Sequence, residues 1–94
     1  MQMPAPSADE LASTKAYRSA MSKMGQSMAV TYSGNADKDF VAGMIPHHEG
    51  AVAMAEVELQ YGKDPQLRKL ARDVIAAQTK EIAFMQSWQA KHAK

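Results

Sequence analysis

His47 and His48 stand side by side one helical turn beyond Met44, and Met54 follows His47 by seven residues. Thioethers and imidazoles at helical spacing make a ligand set for a soft or borderline metal ion. Thioether sulfur selects Cu(I), whereas imidazole accepts Cu(I) or Cu(II). Zinc favours thiolate, imidazole or carboxylate, and calcium or magnesium requires clustered oxygens. The chain has no cysteine, so a Met/His set points to copper before any other metal. Met21, Met24 and Met28 recur at helical spacing upstream, and Met85 lies downstream. The eight donors singled out are therefore Met21, Met24, Met28, Met44, His47, His48, Met54 and Met85, with Cu(I) favoured by Met and Cu(II) held through His. Gln78 and Glu81 are candidates for hydrogen-bonding a ligand histidine from behind.

The same residues support a second reading. Methionine is flexible and fills irregular cores, so the stripe also suits a non-catalytic helical interaction module that docks a partner helix without metal. Burying two imidazoles, however, costs free energy unless they gain partners. Catalytic constellations are missing. No Glu-x-x-His pair of the di-iron type occurs, and His48-Glu49 is not followed by the second His of a zinc-protease motif. There is no Gly-rich phosphate loop, and no serine is paired with a histidine base and an oriented carboxylate. An enzyme is not expected.

The elements that must position these residues are helices. At about 100° per residue, Tyr17, Met21, Met24, Met28 and Tyr32 share one stripe. Phe40, Met44, His47, His48, Ala51, Met54 and Ala55 share another, and Leu67, Ala71, Val74, Gln78, Ile82 and Met85 a third, with Glu81 at its edge. The first helix is expected over residues 9–32, capped by Ser7 or Asp9 and stopped by Ser33-Gly34-Asn35. The second runs from Ala36 or Asp37 to Tyr61, kinked or broken at Pro46 and ended by Gly62. Asp64-Pro65 then combines an N-cap with proline at the first helical position, opening a third helix that continues to about His92. Trp88 is expected in a core or interface, and His92 exposed at the last turn. Short connections make this an all-α, up-and-down bundle of three main helices. Residues 1–8, with two prolines, form an expected flexible tail, and 9–94 a single domain.

Composition agrees with one small helical domain. The 94 residues are 46% apolar, mostly Ala, Met, Val and Leu, with too few β-branched and aromatic residues for a sheet. A net charge of +1 without a basic stripe gives no general attraction for nucleic acid. No apolar run approaches the roughly 18 residues of a membrane span. Three helices leave one apolar flank open, and a homodimer would complete a larger bundle.

Residues 39–55, Asp-Phe-Val-Ala-Gly-Met-Ile-Pro-His-His-Glu-Gly-Ala-Val-Ala-Met-Ala, resemble a bacterial family, the domain of unknown function family number three hundred and five. The likeness continues through Gly62-Lys-Asp64-Pro65, Leu70-Ala71 and Gln78-Thr-Lys-Glu81-Ile82-Ala-Phe-Met85-Gln-Ser-Trp88, and covers most of the chain from Tyr17 onward. It implies a ferritin-like bundle, exported to the periplasm or secreted after removal of a signal peptide, and linked to copper tolerance in its CopM-like members. Carried over by position, Met44, His47, His48, Met54 and Met85 match metal-facing positions, and Met24 and Met28 match methionines of the first helix. Many members carry a histidine directly after the position of Met24. Gly25 stands there instead, which leaves the first helix with thioethers only.

Overall fold

The structure is a computed structural model that describes residues 8–29 and 31–93. Three helices follow in order: α1 (Ala8–Ser27), α2 (Ala36–Tyr61) and α3 (Pro65–Lys91). Among the described residues there is no strand. The expected tail and the Ser7 cap lie outside the described residues, apart from Ala8, which already belongs to α1.

Local chemistry explains the boundaries of α2 and α3. Asn35 caps α2, its side-chain oxygen accepting the Lys38 N–H at 3.1 Å. The turn before it is built by Gly34, at a φ of +88° that only glycine adopts freely, and by Asp39. The Asp39 carboxylate accepts the Ser33 N–H at 2.9 Å and the Ser33 hydroxyl at 2.8 Å. These bonds hold the Asp39 carboxyl below the usual carboxylate range. At α3, Asp64 accepts the Leu67 N–H at 2.9 Å and Pro65 occupies the first turn. The Arg68 guanidinium donates to the carbonyls of Leu59 and Gly62, at 2.7 and 3.0 Å, and so ties the start of α3 to the end of α2.

One boundary differs from expectation. Helix α1 stops at Ser27 rather than reaching Tyr32, which is 81% exposed. Val30, Thr31 and Tyr32 are poor helix formers, so the chain leaves the helix before the Gly34 turn. Of the two alternatives at Pro46, a kink or a break, the break does not form: α2 runs through it as one helix. Pro46 is buried, and small neighbours, Ala42 and Gly43, sit in the preceding turn where the ring would crowd the backbone. Gly62 ends α2 with a negative φ of −73°, its N–H donating to the Glu58 carbonyl at 2.7 Å, so no left-handed cap is made there.

Helix α2 is the centre of the fold. It packs against α1 on one side and α3 on another, and among the described residues α1 and α3 do not meet. Met24 of α1 lies on Gly50 of α2, while Tyr17 shares a groove with Met54 and Glu58, so α1 runs antiparallel to α2. The result is an open layer with α2 in the middle, its extents 58 × 27 × 17 Å. The three apolar stripes therefore do not converge on one axis. The core is thin: Val41, Ala55, Val57, Ala71 and Met85 are buried, and none of the larger side chains described is wholly enclosed.

Candidate metal centre

Adjacent residues on a helix project about 100° apart, and the packing of α2 separates the two histidines accordingly. His48 points into the α2–α3 interface and is the one buried polar side chain among the described residues. His47 is exposed. Their ring centroids are 6.3 Å apart with planes tilted by 60°.

His48 meets α3 through its Nε2, which bonds the Glu81 carboxylate. Its Nδ1 is buried and has no hydrogen-bond partner, and the Gln78 Oε1 is buried without one as well. Glu81 and Gln78 are one turn apart on the same face of α3. The contact also defines the antiparallel register of the two helices. Counting one turn back along α2 and one turn on along α3 brings Met44 level with Met85. Met85 is buried at 6% exposure and Met44 is half-buried. One stretch of the α2–α3 interface thus carries Met44, His48, Gln78, Glu81 and Met85.

An acceptor carboxylate at Nε2 selects the tautomer with its proton on that nitrogen. Nδ1 is then left with a lone pair. A carboxylate behind a histidine is the arrangement that fixes ring orientation and raises ligand basicity at metal sites. A buried Nδ1 without a partner is costly unless it gains one, and a metal ion is a partner that needs that lone pair. The residues present fit a metal of mixed nitrogen and thioether preference. Among the described residues no three His, Cys, Asp or Glu converge, so an ion bound in this interface would also depend on methionine sulfur.

The other candidate donors sit elsewhere. Met24 is half-buried on Gly50, in the α1–α2 interface. Met21 and Met28 are 46% and 41% exposed, and Met54 is 41% exposed on the open side of α2. By register and burial, Met44, His48 and Met85 share one stretch of the α2–α3 interface, while Met21, Met24, Met28, His47 and Met54 lie outside it. Gln78 and Glu81 occupy the supporting positions, and only Glu81 makes its bond. His92 is exposed, its Nδ1 lying 2.8 Å from the Trp88 carbonyl and its ring stacked on the half-buried Trp88 at 4.2 Å. This is a helix C-cap by side chain.

The family model described as Domain of unknown function (DUF305) matches residues 2–89. The chain belongs to this family. A curated relative, the uncharacterized protein L153 of Acanthamoeba polyphaga mimivirus, is 43% identical over 51 residues, which is 54% of this chain and 34% of that protein. The chain spans about a third of the length of this relative. Among the described residues, no helix is long and apolar enough to cross a membrane.

Proposed function

We propose that this protein binds copper as a cargo ion, serving copper sequestration or homeostasis in the cell envelope rather than catalysis. The observation that carries this reading is His48. It is a buried imidazole, oriented by Glu81 through Nε2, with an unpartnered Nδ1 beside a helix that also presents a buried methionine. Cu(I) would be taken by the thioethers of Met44 and Met85 together with the imidazole, and Cu(II) would depend on His48 with His47. The exposed Met21, Met28 and Met54 and the half-buried Met24 would form weaker, low-coordinate positions, since a single ion cannot use all eight donors.

The test is a pair of chelator competitions, one oxidised and one under reductant, on wild type and on the His47→Ala/His48→Ala double variant. The double variant is expected to lose most Cu(II) binding and keep measurable Cu(I) binding through its thioethers. Of the single variants, His48→Ala is expected to lose more Cu(II) affinity than His47→Ala, because only His48 is oriented by a carboxylate. Unchanged Cu(II) binding in the double variant would remove both histidines from the site and the reading with them.

A further inference from the structure

The side of the layer between α1 and α3 is open, and it is apolar. A groove of about 420 Å³ runs along it, floored by Ala51, Met54 and Ala55 of α2, with Tyr17 on one wall and Leu67 and Leu70 on the other. Along α2, Phe40, His47 and Met54 are exposed and Ala51, Glu58 and Tyr61 half-buried; with Met44, which lies at the edge of the α3 contact, they are spaced alternately four and three residues apart. A 3.5-residue repeat sustained over three heptads is the seam of a coiled coil, the pattern by which one helix packs lengthwise on another. Helices α1 and α3 flank this strip without closing over it. Phe40 is 63% exposed, Leu67 53%, Leu70 56% and Met54 41%, while Phe84, two heptads beyond Leu70 on α3, is 70% exposed. On α1, Ala20, Lys23, Met24 and Ser27 line the opposite groove, which leaves Met21 and Met28 to continue the stripe of Tyr17. Three of the large exposed apolar side chains, Met54, Leu67 and Leu70, thus line one groove.

The exposed area says how much covering this face requires. A compact monomer of 10.3 kDa presents about 5,400 Å² to solvent. This chain presents 7213 Å², about a third more. That excess, about 1,800 Å² per chain, is more than the roughly 800 Å² that each partner contributes to a standard protein interface. Glu58 is the one charged residue in the lining of the groove, so little repulsion opposes docking of a like surface.

We infer that a second copy of this chain docks on this face, its α2 antiparallel to the first along the seam and the two-fold axis passing at Ala51. Ala51 lies within half a residue of the midpoint between Phe40 and Tyr61, and it is the one small residue of the strip, where two helix backbones can approach most closely. Antiparallel pairing about that point sets Phe40 within one residue of Tyr61 of the second copy, and His47 within one residue of its Met54, an offset of about 1.5 Å. Resting on the copper reading above, this places the donors that the single chain leaves apart, His47 and Met54, opposite each other across the axis. The dimer itself requires no metal.

Sedimentation of the copper-free chain, with a chelator present, separates the two propositions. The expected mass at high micromolar concentration is twice that of the chain, and Ala51→Glu is expected to give a monomer with an unchanged helical circular dichroism spectrum. Because the chain has no cysteine, Ala51→Cys is expected to form a disulfide-linked dimer in oxidised glutathione. Glu49→Cys, on the other side of α2, is expected to remain unlinked. A wild-type chain that sediments only as monomer, an Ala51→Glu variant that stays dimeric, or Glu49→Cys linking as readily as Ala51→Cys would each overturn the docking. Failure to bind copper by a chain that dimerises and links as expected would instead overturn the copper reading alone.

Discussion

Replacing Glu81 by alanine strips the buried His48 ring of its one hydrogen-bond partner, and the size of the effect follows from burial. With Glu81 present, Nε2 is satisfied and only Nδ1 is orphaned. Without it, both nitrogens of a buried imidazole lack partners, a cost of about 1–3 kcal/mol. The Glu81 side chain is 57% exposed, so water can reach part of the vacated space and the lower end, about 1 kcal/mol, is expected. For a domain of this size that lowers Tm by roughly 4–8 °C. In a His48→Ala background there is no imidazole to strand, and Glu81→Ala is then an ordinary surface change worth at most about 0.5 kcal/mol either way. A double-mutant cycle on copper-free protein at one fixed concentration, read by thermal unfolding, isolates the coupling. If Glu81→Ala costs the same in both backgrounds, the His48–Glu81 bond contributes nothing and the orientation argument fails. The same variant is expected to weaken Cu(II) binding by about 10–100-fold, because the ring keeps its nitrogen but loses its orienting carboxylate.

Three further outcomes follow from other parts of the layer. Asp39 has a folded-state pKa below its unfolded value, so the stability it adds is present above the unfolded pKa and is lost as pH falls through the folded one. Exchange protection of the Ser33 amide should therefore drop on acidification below about pH 4, and Asp39→Ala should abolish that dependence. A Cβ at Gly50 would lie 2.2 Å from the Met24 sulfur and 2.7 Å from its Cγ, so Gly50→Leu should release α1 while leaving α3 docked; hydrogen exchange that rises equally in both helices would contradict this. Far-ultraviolet circular dichroism should show a helix-dominated spectrum, and one dominated by strand would contradict the fold.

Much of the fold was legible before any packing was known, because its signals are local. Asn35 with Asp37, Asp64 followed by Pro65, and the Gly34 turn each act within four residues of themselves, and they mark helix starts and a turn wherever the helices later dock. Spacing along each helix also put Met44, His48 and Met85 among the eight candidate donors, without separating them from the other five. The overreach at α1 came from reading the Met stripe through to Tyr32, where residues of poor helix propensity decide the end. At Pro46 the local rule allowed a kink or a break, and α2 passes through as one helix.

What the chain alone could not supply is which side of α2 each neighbour covers. His47 and His48 are chemically identical and adjacent, so periodicity assigns them equally to the edges of one face. Only the docking of α3 buries His48 against Glu81 and leaves His47 in the open. The same holds for the methionines. Met85 and Met54 look alike in a helical projection, yet one is enclosed and the other lines a groove, because α1 and α3 flank α2 without closing over it. A sequence specifies the angle of each side chain about its own helix axis. The relation between axes is set by which contacts, such as Met24 on Gly50 and Arg68 on the carbonyls of Leu59 and Gly62, form together, and that is a property of the folded chain.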